Sequence, residues 1–320
     1  MANQSVVASD TLLKRNPVQR FLITFKKNWQ LHLMIVLPLV YMLLFHYWPM
    51  YGLQIAFRDY SSADGITGSP WVGLAFFEKF FANNNWSRYV WNTFRISMYS
   101  LAASFPVPVI LALTLHVNEN KALKKIAQNV SYIPHFISTV VMVSILKQVL
   151  SPMTGFYGVL CKWLEVSPID LFGTAEAFDH LYVWSGVWQN MGWNAIIYIS
   201  ALSAVSPDLH EAARIDGASR WKRVLYVDIP AILPTICIML IMRMGHVLSV
   251  GYEKIYLMQN DLNLQVSEVI STFVFREGLS KSNFSFGAAV GLMNSVINTC
   301  MVFLVNWITN KLSDGEAGLF

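Results

Sequence analysis

Residues 206–234 read SPDLHEAARIDGASRWKRVLYVDIPAILP, a polar island set between two apolar runs. Ser206 followed by Pro207 is a helix start, a hydroxyl N-cap with proline at the first helical position. Asp208 and Glu211 fall in the first turns. Gly217 stops that helix where a left-handed residue is needed, and Ser219 caps a second, more basic helix running through Trp221 to Tyr226. Pro230 and Pro234 mark re-entry into apolar sequence. The spacing predicts a short helix-turn-helix pair. Geometry of that kind also fits an ordinary loop, but its charge and its own start and stop signals suit an element that a partner grips.

The surrounding sequence belongs in a membrane. Hydrophobic residues make up 55% of 320, aromatic residues 14% and charged residues 13%, with a mean hydropathy of +0.44. A soluble domain carries about twice that charged fraction. The net charge of +4 is modest, and the basic residues sit in short clusters rather than along a stripe, which argues against nucleic acid. Cys161, Cys237 and Cys300 are odd in number and widely spaced, so neither a disulfide framework nor a metal site is implied.

Six apolar runs are long enough to cross a hydrocarbon layer of about 30 Å: 31–48, 92–117, 130–150, 181–205, 231–250 and 286–309. The first lacks a cleavage signal and is expected to stay in the mature protein. Pro106, Pro108 and Pro134 are expected to kink helices or lie near their ends. Lys14, Arg15, Arg20, Lys26 and Lys27 precede the first run, and Lys121, Lys124 and Lys125 lie between the second and third. Arg214, Arg220, Lys222 and Arg223 lie in the island, and Lys311 follows the sixth run. All share one side, so the positive-inside tendency makes both termini and the island cytoplasmic. Trp48, Trp71, Trp86, Trp91 and Trp184 gather near the opposite boundary. Val18, Phe21, Leu22, Phe25 and Trp29 repeat at helical spacing opposite Gln19, Arg20, Lys26 and Lys27, which reads as an interfacial helix or as a basic topogenic tail. The resulting division is a tail and interfacial helix over 1–30, a transmembrane domain over 31–310 containing the island at 206–230, and a second tail over 311–320.

Within the island, Glu211-Ala212-Ala213, three residues, Gly217, nine residues and Val227-Asp228-Ile229-Pro230 form a spaced pattern. It resembles the EAA loop of bacterial ABC-importer permeases, which reads EAA, three residues, Gly, nine residues, then Ile-x-Leu-Pro. Val227 and Ile229 are the departures, both conservative. The resemblance implies an all-α membrane fold of six transmembrane helices, the type I importer permease fold, with the island as a coupling helix. It implies that Glu211 meets a basic residue of an ATP-hydrolysing subunit, that Ala212 and Ala213 permit close approach, and that Gly217 supplies the turn, with Arg214 and Asp216 in the same contact. Similarity runs on through YGLQIAFRDY (51–60), GSPWVGL (68–74), NTFRIS (92–97), YIPHFIS (132–138) and WQNMGWNAIIYISAL (188–202). These stretches resemble the carbohydrate-importer permeases, the branch for complex oligosaccharides and polysaccharides, and among them a permease subunit of an alginate importer.

The chain itself carries no site for burning ATP. No glycine is followed by lysine, so there is no Walker A loop, and HExxH, CxxC and GxSxG are absent. The chain is read as non-catalytic, with no cofactor of its own; ATP and Mg belong to a partner. By resemblance the assembly contains two ATPase chains, a second permease that differs from this one, and an external sugar-binding protein. It sits in the bacterial cytoplasmic (inner) membrane and moves an oligosaccharide by alternating access.

Polar groups inside spans are costly to hold in hydrocarbon and become candidates for a substrate path. Trp188, Asn190, Trp193, Asn194, Arg243, His246, Asn294 and Asn298 qualify, with Gln189, Arg95 and Lys147 beside them. Arg243 and His246 lie three apart on one helix face and suit an anionic sugar, and Trp188 or Trp193 can stack on a ring. Arg95 and Lys147 are near enough to span ends to snorkel, and the asparagines can instead join helices. Gly287, Gly291 and Ser295 make a small-residue stripe suited to close helix contact. Two rival readings remain: an ion-coupled secondary transporter, against which the six runs contain no acidic residue, and a membrane enzyme acting on a lipid-linked sugar.

Overall fold

A computed structural model of the chain describes residues 27–312. The described residues are helical with no strand, one isolated bridge pairing Arg58 with Trp71. The chain divides into two units, 1–55 and 56–320. The expected interfacial helix lies almost wholly outside the described residues, as does the tail beyond 312.

The first unit contains α1, Trp29–Met42, followed by a π-helical turn, Leu43–Tyr47. No residue of α1 is buried. A helix apolar on every face has no stable place in water, so its sequence demands lipid or a helical neighbour.

In the second unit α2, Trp86–Ser104, and α3, Pro106–Val117, form one long span with a join at Phe105. The Pro106/Pro108 pair thus falls at a helix junction, as its missing N–H groups dictate. Asn120 caps α4, Lys121–Tyr132, its side chain accepting from the N–H groups of Ala122 at 3.0 Å and Leu123 at 3.1 Å. At Pro134 the chain passes through a short 3-10 turn, Ile133–Phe136, and Ser138 restarts it as α5, Thr139–Val149, bent by 103° from the preceding helices. The run expected to cross as one helix over 130–150 is therefore broken. Proline removes a donor and clashes with the preceding turn, and the Ser138 cap fixes a new direction.

Helix α6, Ala175–Ser203, covers most of the expected run 181–205 but is not among the four helices of the described residues that are long and apolar enough to span by themselves. Its polar Gln189, Asn190 and Asn194 lower its hydropathy. It packs along α3 and α2, and Ala195, Tyr198 and Leu202 join Ala112 and Ile232 in one buried cluster. Gly192 lets it approach α4: a Cβ there would stand 2.1 Å from the Ser131 carbonyl oxygen.

After α7, Pro207–Ile215, the island differs from expectation. Residues Arg220–Met244 form one continuous helix of 25 residues, made of Arg220–Arg223, a π-helical turn at Val224–Asp228, and α8, Ile229–Met244. Pro230 does not divide a loop helix from a span. The π turn lies just before it, where i→i+5 bonding accommodates the residue without an N–H. Helix α9, Tyr252–Met258, and α10, Phe284–Leu312, complete the principal elements. In the small-residue stripe Gly287 makes the expected close contact, a Cβ there lying 3.0 Å from Gly278 Cα, whereas Gly291 faces open space.

Candidate functional site

Two regions hold the candidate residues. In the first, Ser206 caps α7 by accepting from the Asp208 N–H at 3.3 Å, with Pro207 at the first position. Gly217 has φ +75, the left-handed value its place in the turn requires. Glu211, Ala212, Arg214, Asp216 and Gly217 are exposed and Ala213 is half-buried. Around them Ile215 is 87% exposed, and Trp221 and Tyr226 are nearly as bare. An acidic, small-residue helix rimmed by exposed apolar side chains has the composition of a docking surface. Arg220 donates to Glu119 at 2.9 Å, tying the base of this loop to the chain just after α3.

The second region is a cavity of about 570 Å³ between α2, α6, the α4–α5 break and the segment after α8. Among its lining residues are His135, Gln189, Asn190, Asn194, Arg243 and Lys254. Asn190 Oδ1 lies 3.0 Å from His135 Nδ1, a contact in which the amide oxygen accepts from the protonated ring nitrogen. The His135 ring stacks on Trp193 at a centroid distance of 4.4 Å and an angle of 7°. Gln189 donates to the Ile137 carbonyl at 2.8 Å, supplying a partner for a backbone group freed at the break. Lys254 donates to the Tyr182 carbonyl at 2.9 Å and lies 4.9 Å over the Tyr182 ring. Burial pushes its ammonium down to about 8.

Of the residues expected on a substrate path, Asn190, Asn194 and Arg243 line this cavity. His246 joins Arg243 on an adjoining cavity of about 250 Å³. Trp188, Trp193 and Asn294 line neither cavity; Trp193 stacks on His135, which does, and both tryptophans are nearly half exposed. Asn298 is buried and structural: it accepts from the Leu248 N–H at 3.0 Å and donates to Ser249 Oγ at 3.1 Å. Arg95 and Lys147 both have partners within the chain. Arg95 pairs with Asp179 at 2.7 Å, and Lys147 donates to the Leu257 carbonyl at 2.7 Å. His135 and Lys254 were missed. His135 lies inside the 130–150 run, where a ring nitrogen is as much a polar signal as an amide; Lys254 lies outside every run.

A helical chain with many bare apolar side chains, a polar cavity and an exposed capped helix is built as a membrane permease. Residues 104–314 match the family described as binding-protein-dependent transport system inner membrane component, and the chain belongs to that family. It is 36% identical over 99% of its length to the polygalacturonan/rhamnogalacturonan transport system permease protein YteP of Bacillus subtilis, covering 98% of that protein. It is also 36% identical to Protein LplB of the same organism, over 92% of both chains. Among solved structures it is similar to a bacterial ABC transporter involved in the import of the acidic polysaccharide alginate, with a TM-score of 0.84 and 32% identity over 91% of this chain and 99% of that one. A bacterial alginate ABC transporter in complex with an alginate pentasaccharide-bound periplasmic protein gives a TM-score of 0.85 and 31% identity, over 94% and 100%. The type I permease fold expected from the sequence is thereby established.

Proposed function

We propose that this chain forms part of the translocation path of an ATP-driven importer of oligosaccharides or polysaccharides, anionic ones among them, and that α7 couples it to a separate ATPase. One observation carries the reading. The 25-residue helix Arg220–Met244 starts at the exposed loop and ends at Arg243, which lines the cavity. A helix of that length spans about 37 Å, so a displacement applied at α7 has a single lever to the ligand-sized space. Alternating access needs such a link, together with partners that bind two states differently.

Relatives that move acidic polysaccharides support an anionic cargo, as do Arg243 and Lys254 on the cavity wall, with the His135 ring, backed by Trp193, as a stacking surface. In the assembly proposed here, two ATPases dock at the α7 loops, a second and different permease completes the cavity, and an external binding protein delivers sugar. Six crossings follow if the bent α4–α5 pair and α6 each count as one, with both termini and α7 cytoplasmic. Family membership decides against the ion-coupled and lipid-linked-sugar readings.

The test is ATP hydrolysis by the reconstituted complex with its binding protein, over neutral and uronate oligosaccharides. Stimulation by uronate chains, lost in Glu211→Ala, is the expected result. A Glu211→Ala complex that is stimulated normally would contradict the coupling role, and stimulation by neutral chains alone would contradict the anionic cargo.

A further inference from the structure

Behind α7 lies a cluster that neither the cavity nor the docking surface uses. His116 stands in the last turn of α3, His210 in α7 and Asp228 in the π turn ahead of α8. The Asp228 side chain is 2% exposed. A carboxylate so enclosed is costly unless something positive holds it. Its Oδ1 lies 3.2 Å from His210 Nε2 and 3.7 Å from His116 Nε2. Yet neither Asp228 Oδ1 nor His210 Nε2 makes a hydrogen bond: the atoms are close, but the N–H direction misses the oxygen. The ligand atoms of all three residues lie within 4.8 Å of one another.

We propose that His116, His210 and Asp228 form a site for a zinc-class divalent transition-metal ion. Two imidazole nitrogens and one carboxylate oxygen, from three separate elements, match the N/O donor set and the three-protein-ligand count of an open tetrahedral zinc site. Donors that converge without bonding one another are arranged around a common point, which a metal ion fills and a hydrogen bond does not. The three residues line a cavity of about 180 Å³, with room for a fourth ligand, that Glu119, Arg220 and Arg223 also line. Arg220 is engaged by Glu119 at 2.9 Å. Arg223 leaves a positive charge on the wall, which favours an anionic fourth ligand such as hydroxide or chloride and keeps affinity below that of an all-protein site. Occupancy would tie α7 at once to α3 and to the helix entering α8. The site stands on these three residues and does not depend on the transport reading.

Full-length protein purified in detergent and stripped with chelator would be titrated with Co²⁺, and the bound Co²⁺ displaced with Zn²⁺. The expected result is one equivalent of Co²⁺ with intense visible absorption of tetrahedral type, bleached by Zn²⁺, and a Zn²⁺-dependent rise in Tm. His210→Ala, a change at a partly exposed residue, should weaken binding at least about tenfold and abolish the Tm rise. His116→Ala should do the same, and Glu211→Ala on the same helix should change neither. Absence of the tetrahedral spectrum in wild type would overturn the site and leave the three residues as a polar clasp. Unchanged Co²⁺ affinity in His210→Ala would overturn it as well, assigning the metal to other histidines.

Discussion

The α7 loop and the interior cavity are opposite solutions to presenting polar groups. The loop is written in one continuous stretch, its cap, turn and docking residues within a dozen positions, and nearly all of it is exposed. The cavity is assembled from residues far apart in the chain, His135, Asn190, Arg243 and Lys254, three of them fixed by partners: His135 by Asn190, Asn190 by the Gly186 carbonyl and Lys254 by the Tyr182 carbonyl. The contrast teaches that the loop should tolerate local change with little loss of fold, whereas the cavity and the packing behind it should not.

The severest test of that contrast is Gly192→Val. A Cβ at 2.1 Å from the Ser131 carbonyl cannot be relieved by a side-chain rotation, because the obstacle is backbone. Separation of α4 from α6 should cost about 3 kcal/mol or more and lower the Tm of the purified protein. Near-normal melting would mean that the two helices are not pressed together.

Lys254 gives an effect of similar size and opposite sign. Its proton is lost near pH 8 in the folded chain and only near 10.5 when unfolded. Between those values the unfolded state binds more protons, so stability rises with pH, and below pH 8 the full penalty of the buried ammonium is present. Lys254→Met should therefore stabilise the fold at pH 7 by on the order of 3 kcal/mol and flatten the pH profile of Tm between 8 and 10. It should also weaken the uronate stimulation of ATP hydrolysis by the reconstituted complex. A variant that melts lower at pH 7 would show that the ammonium is held favourably.

On the loop, Glu211→Ala should leave Tm within about 0.5 kcal/mol of wild type while costing about 2 kcal/mol in docking of the ATPase, measurable as a loss of complex affinity. A large drop in Tm there would erase the distinction between the two regions. Ser206→Ala is the mildest, costing about 1 kcal/mol or less from one cap, read as faster amide exchange confined to the first turn of α7.

These differences follow the legibility of the sequence. Ser206, Pro207 and Gly217 act on neighbours a few residues away, and each does in the structure what its chemistry dictates. Four of the six apolar runs were equally readable, since a span needs only length and composition: 31–48, 92–117, 231–250 and 286–309 each overlap a helix long and apolar enough to cross a membrane. Pro134 announced a break but not a turn of 103°, because that direction depends on Ser138 restarting the helix and on Gln189 holding Ile137 from another element. The cavity escaped for the same reason. Asn190 and Arg243 could be nominated one by one, but their meeting with Lys254 is a product of tertiary packing, and Asn298 was drawn into bracing residues 248–249 instead. The burial of Asp228 beside two histidines has no local signal at all.

The π-helical turn at Val224–Asp228 sets an angular phase. Such a turn is an α-helix carrying one extra residue, and each residue of an α-helix is worth about 100° of rotation and 1.5 Å of rise. Deleting one residue there would restore regular winding below Pro230 yet swing Glu211 roughly a quarter turn about the axis that ends at Arg243. The nine residues separating Gly217 from Val227 are thus a clocking distance, a count that sets where Glu211 points relative to Arg243, the cavity-lining residue at the far end of the same shaft.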